Sequence, residues 1–148
     1  MYQTNQFRKG LKIDMDGGVT VHSLAAEIGQ GSDTMLAQCV AEVLGCDMAR
    51  VHVKSQTTDT APIDLGSYSS RVTFMAGNAA RAAAEEIRHK LTDAAAKLTN
   101  QRGQYFDFVN EEIVCRSKPD VKVSFIEALH EAQAEVGALV ASGSYQAP

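Results

Sequence analysis

Residues 11–45, LKIDMDGGVTVHSLAAEIGQGSDTMLAQCVAEVLG, change their hydrophobic period midway. Leu11 to Met15 alternate apolar and polar, Asp16-Gly17-Gly18 supplies a turn, and Val19 to Leu24 resume the alternation. A period of two on both sides of a glycine turn predicts a β-hairpin. Beyond Gly31 the period lengthens. Met35, Leu36, Cys39, Val40, Val43 and Leu44 recur at helical spacing, and Gly45 stands where a helix stops. Ser32 or Asp33 is suited to cap that helix.

Working outward, Val51-His52-Val53 predicts a short strand, and Thr57 to Gly66 has no period and predicts a loop. From about Ser69 to Leu98 the residues Val72, Met75, Ala76, Ala79, Ala83, Ile87, Leu91 and Leu98 keep a helical rhythm in alanine-rich surroundings. The small residues Ala76, Gly77, Ala79 and Ala80 permit close backbone approach. Tyr105 to Val109 and Ile113 to Cys115 predict a second hairpin around Asn110-Glu111. Ser124 and Glu127 form a capping-box pattern, followed by an apolar face of Phe125, Leu129, Ala132, Val136 and Val140. Residues 142–148 predict a loop. The chain therefore reads as one α+β domain over 1–148, with short hairpins and strands packed on two or three amphipathic helices, one long (about 69–98).

The 148 residues suit one domain. With 45% hydrophobic and 22% charged residues the chain is neither disordered nor a coiled coil. Its net charge of −4 and lack of a basic stripe argue against nucleic acid as a partner. No apolar run reaches the ~18 residues of a membrane span, and residues 1–10 hold no stretch fit for a signal peptide. Cys39, Cys46 and Cys115 form no CxxC pair and are expected as buried thiols in a reducing, cytoplasmic compartment. His22, His52, His89 and His130 have no ligand spacing, so no metal site is expected. Glu85, Glu86, Glu131 and Glu135 are expected on solvated helix faces.

Two segments can hold chemistry. Gly29-Gln30-Gly31 lies between a strand and a helix, where glycines let backbone amides approach an oxyanion and the helix offers free N–H groups. Gln30 adds a group that both donates and accepts. Thr34 stands where a dinucleotide fingerprint needs its third glycine, and a tight turn alone would use the same residues. Gly66-Ser67-Tyr68-Ser69-Ser70-Arg71 opens the long helix with hydroxyls, amides and a guanidinium suited to phosphate. A serine cap beside an exposed arginine reads the same way. No residue is singled out as catalytic.

The ordered series EIGQGSDTMLAQ (27–38), AEVLG (41–45), DTAP (59–62), GSYSSR (66–71) and GNAA (77–80) resembles the molybdopterin-binding large subunit of the xanthine dehydrogenase and aldehyde oxidase family of molybdenum hydroxylases. Residues 66–80 look most like the 4-hydroxybenzoyl-CoA reductase branch. The resemblance implies that Gly29, Gln30 and Gly31 contact the molybdenum-pterin. It implies that Ser67, Tyr68, Ser69, Ser70, Arg71 and Val72 hold its phosphate end, with a cytosine dinucleotide as the expected form. It also implies partners: the rest of the large subunit, and iron–sulfur and FAD subunits or domains. The family's glycine-flanked glutamate motif, which supplies the base, is absent. The chain is then expected to be a partial molybdopterin-binding domain, inactive alone, with apolar surface that favours self-association. Two rival expectations are a stand-alone nucleotide- or anion-binding module and a structural protein whose loops are only helix caps.

Overall fold

The computed structural model describes residues 6–55 and 72–146. Strands β1 (Gln6–Ile13) and β2 (Val19–Ser23) form the antiparallel hairpin, with Ile13 opposite Val19. Helix α1 (Ser32–Leu44) carries the chain across to β3 (Val51–Ser55), which runs parallel to β2 with Ser23 beside Ser55. Parallel pairing needs such a crossover, because a tight turn reverses the chain. A turn of π-helix at Val72–Ala76 leads into α2 (Gly77–Thr99), which ends at Asn100 in the left-handed region. Strands β4 (Phe106–Val109), β5 (Glu112–Cys115) and β6 (Lys122–Ser124) make a small antiparallel sheet. Helix α3 (Phe125–Val136) follows, and β7 (Leu139–Gln146) returns antiparallel to β1, giving the larger sheet the order β3-β2-β1-β7. The architecture is α+β, as the sequence indicates.

The alternation read in the sequence decides which face of the larger sheet is buried. Leu11, Ile13, Val19, Val21, Leu139 and Ala141 all face the core, whereas Lys12 is about half exposed on the other side. Helix α2 lies at the centre of that core and packs on β1, β7, α1 and α3. Its buried alanines, Ala79 and Ala83 among them, let β7 come unusually near. A Cβ added at Gly143 would stand 2.0 Å from the Ala79 carbonyl oxygen and 2.4 Å from the Ala83 nitrogen.

Several local expectations are realised. Gly45 caps α1, and the Ser124–Glu127 capping box is complete in both directions. Asn110 and Glu111 take the left-handed conformation at the β4–β5 turn, with φ of 50° and 61°. The Arg50 guanidinium holds the Glu111 carboxylate through Nε and Nη2, and the Glu111 amide donates to the Gly45 carbonyl at 2.7 Å. The turn is thereby fixed against the end of α1.

Other expectations need correction. Helix α3 stops at Val136, and Val136 and Val140 are 58% and 53% exposed instead of forming a buried stripe. The residues after them form β7, not a loop. Leu98, at the end of the long helix, is 46% exposed, so the buried stripe ends earlier. Neither Ser32 nor Asp33 caps α1: its N-cap is Gly31, which makes no side-chain cap bond. The loop expected at Thr57 to Gly66 and the helix start at Ser69 fall outside the described residues.

Candidate functional site

At the carboxyl end of β2, Ser23 Oγ accepts hydrogen bonds from Lys9 Nζ and from the Ala25 amide, both at 3.0 Å. Lys9 is only 2% exposed, and Ser23 and Ser32 are also buried. Buried polar groups thus lie under the loop that joins β2 to α1.

That loop is organised by a residue the sequence reading passed over. Glu27 Oε1 accepts from the Gly29 amide at 2.8 Å and the Gly31 amide at 3.1 Å. Its Oε2 accepts from the Asp33 amide and the Ser32 hydroxyl, both at 3.0 Å. The carboxylate therefore occupies the amide cluster at the amino end of α1, where a helix stabilises negative charge. The Asp33 amide contributes most, and the set of donors pulls the Glu27 pKa down to about 2. The Asp33 amide, one of the free N–H groups foreseen there for a ligand anion, is already engaged. The readable signal was an acid placed four residues before Gly31, the N-cap.

Gln30 is turned into the same loop. Its Oε1 accepts from the Ile28 amide at 2.7 Å, and its Nε2 donates to the Ala26 carbonyl at 2.7 Å and to Ser32 Oγ at 3.4 Å. Gly29 and Gly31 adopt φ of 94° and 78°, a region that side chains disfavour. A Cβ at either glycine would meet nothing within 4 Å among the described residues. Ile28 between them and Glu27 is 83% exposed. Asp33 Oδ1 is buried and has no hydrogen-bond partner among the described residues. Burial, and then the neighbouring Glu27, raise the Asp33 pKa, while Lys9 opposes them.

A depressed carboxyl pKa has a definite signature. The stabilisation from Glu27 is complete above the ordinary glutamate value of about 4.3 and is lost as pH falls through about 2. A carbon-detected titration of the Glu27 carboxyl should give a midpoint near 2. A midpoint near 4.3 would mean that the amide cluster does not form in solution.

Of the second predicted segment, Ser67, Tyr68, Ser69, Ser70 and Arg71 lie outside the described residues. Val72 begins the π-turn, half-buried. The flanks of that segment can be placed. Ser55, which ends β3, pairs beside Ser23, where the Gly29–Gly31 loop begins. On the other side, a Cβ at Gly77 would lie 3.4 Å from Met35 Sδ and 3.7 Å from Cys39 Sγ, in the first two turns of α1. The described flanks, Ser55 beside Ser23 and Gly77 against the first two turns of α1, thus lie near the loop that leads from β2 into α1.

Glu85 pairs with Arg81 at 2.8 Å, Glu86 with Lys90 at 3.0 Å, and Glu131 with Lys97 at 2.6 Å. Among the described residues no cluster of His, Cys, Asp and Glu could hold a metal ion. Cys39, Cys46 and Cys115 are free thiols, and burial raises the Cys46 pKa to about 11. No described helix is long and apolar enough to cross a membrane.

Among the described residues open space stands where side chains at Gly29 and Gly31 would be, so a ligand group can approach the backbone there.

The chain is similar to known proteins over most of its length. The chain is 38% identical over 138 residues to the probable hypoxanthine oxidase XdhD of Escherichia coli K12, covering 93% of this chain and 14% of that protein. It is 35% identical over 127 residues to the putative xanthine dehydrogenase molybdenum-binding subunit XdhA of the same strain, covering 80% of this chain and 17% of that protein. The Cu,Mo-CO dehydrogenase structure superposes with a TM-score of 0.83 at 26% identity, over 98% of this chain and 19% of that one. Quinoline 2-oxidoreductase from Pseudomonas putida 86 shares the fold, with a TM-score of 0.84 at 24% identity. The chain thus spans less than a fifth of the length of these relatives. A family model described as a molybdopterin cofactor-binding domain matches residues 3–148, and the chain belongs to that family.

Proposed function

We propose that residues 1–148 form the cofactor-cradling portion of a molybdenum hydroxylase large subunit. Gly29, Gln30 and Gly31 lie against the pterin, and Ser67, Tyr68, Ser69, Ser70, Arg71 and Val72 hold the phosphate end of a cytosine dinucleotide. The observation that carries this reading is the placement of the described flanks, Ser55 beside Ser23 and Gly77 against Met35, near the loop that leads from β2 into α1. When bound, the molybdenum centre supplies the redox chemistry. This chain binds and orients the group. The remainder of the subunit and iron–sulfur and FAD partners complete the enzyme, in a reducing compartment that suits the free thiols. The chain alone has no turnover, and the flavour of residues 66–80 places it nearest the 4-hydroxybenzoyl-CoA reductase branch.

The dinucleotide end is tested by calorimetric titration with CMP, CDP and pyrophosphate. A part-formed site should bind with a Kd on the order of 1 mM, about −4 kcal/mol. Preference for the cytosine nucleotides, lost in Ser70→Ala, is the expected result. Absence of saturable binding at several times that concentration would contradict a preformed dinucleotide end.

A further inference from the structure

The Glu27 carboxylate does two things at once. Through Oε1 it ties the amides of Gly29 and Gly31, the residues on either side of Gln30. Through Oε2 it takes the single proton of the Ser32 hydroxyl. A hydroxyl that donates in one direction has only lone pairs to offer in the other. Ser32 Oγ can therefore face the Gln30 amide only as an acceptor, and Gln30 turns its Nε2 toward it. Reversing the amide would set Oε1 against the Ala26 carbonyl and the NH2 group against the Ile28 amide, pairing like with like at both contacts. One carboxylate thus fixes the curvature of the loop and, by leaving Ser32 Oγ an acceptor, supports the sense of the Gln30 amide that Ala26 and Ile28 set.

We infer that Glu27 is the positioning residue for Gln30: it presets the loop and the side-chain amide that meet the pterin, and the reach of its side chain sets their geometry. The inference rests on the proposed contact between Gln30 and the cofactor. It also accounts for the Asp33 amide at the amino end of α1. The chain's own anion holds that amide, and a ligand meets the loop through Gln30 and the glycine backbone.

The test uses proton–nitrogen spectra of the labelled chain as wild type, Glu27→Gln and Ser32→Ala, with a soluble pterin as probe. Glu27→Gln keeps the length but removes the charge. It should move the Gly29, Gly31 and Asp33 amides upfield as they lose a charged acceptor. It should also displace the Gln30 side-chain NH2 signals while the rest of the spectrum stays folded. Ser32→Ala should displace the Gln30 NH2 signals and leave the Gly29 and Gly31 amides in place. Either variant leaving the Gln30 NH2 signals unmoved would overturn the inference. Pterin affinity should fall by the same factor in Glu27→Gln, Gln30→Ala and the double variant, because residues acting as one unit are not additive. If Gln30→Ala leaves pterin affinity unchanged while Glu27→Gln still displaces the Gln30 signals, the cofactor contact fails and the positioning stands.

Discussion

Gly143→Ala should lower the melting temperature by roughly 10 °C, as expected for about 3 kcal/mol in a chain of this size. The site is a strand interior, where removing a glycine would otherwise gain about 0.4–1 kcal/mol by stiffening the unfolded chain. The opposite sign is expected here because the new Cβ would meet the α2 backbone, at 2.0 Å from the Ala79 oxygen and 2.4 Å from the Ala83 nitrogen. Backbone atoms of a helix cannot swing aside as a side-chain tip can. Either β7 lifts from α2, loosening its ladder with β1, or the helix shifts against α1 and α3. Ser144→Ala, on the exposed face of the same strand, should stay within about 0.5 kcal/mol of wild type. Equal melting of Gly143→Ala and Ser144→Ala would mean that β7 does not approach α2 this closely.

The second large effect is expected at Leu91. It is wholly buried in the core around α2, and truncation to alanine should cost about 2–5 kcal/mol through lost burial and the cavity left behind. Against a total stability of about 5–15 kcal/mol, that should bring the denaturation midpoint sharply down. Leu98 shares the helical rhythm in the sequence but is 46% exposed, so Leu98→Ala should cost much less. The pair is a direct check on where the buried stripe of α2 ends. Comparable losses in urea denaturation would show that the stripe continues to the end of the helix, as periodicity alone suggests.

Where the fold was legible, a local rule and the tertiary structure agree. The β1–β2 hairpin follows from alternation and a glycine turn, and α1 from a run of apolar residues ending at Gly45. The start of α3 follows from the Ser124–Glu127 pair. Strand β7 was illegible for a physical reason. Its middle, Ala141 to Ser144, is small or polar and carries no β-branched residue, and at Gly143 the α2 backbone leaves no room for a side chain. The apolar Val136 and Val140 then looked like an extension of α3, although both face outward.

The candidate site shows a similar division. Gly29-Gln30-Gly31 stood out because glycine pairs before a helix are scarce and chemically suggestive. Glu27 did not, since its one signal, an acid four residues before the N-cap Gly31, lies outside the usual capping positions. Its importance appears only when the chain folds back and brings the amides of Gly29, Gly31 and Asp33 to one carboxylate. The buried Lys9 was hidden for the same reason: its partner Ser23 lies on the neighbouring strand, fourteen residues away.

The central claim is that two segments far apart in the sequence cradle one cofactor. Chemical-shift mapping of the labelled chain with a soluble pterin and, separately, with CDP tests it most directly. The account predicts that the pterin moves the amides of Gly29, Gln30 and Gly31, and that CDP moves those of residues 67–72. Perturbations confined to other surfaces, with both segments silent toward both probes, would contradict it.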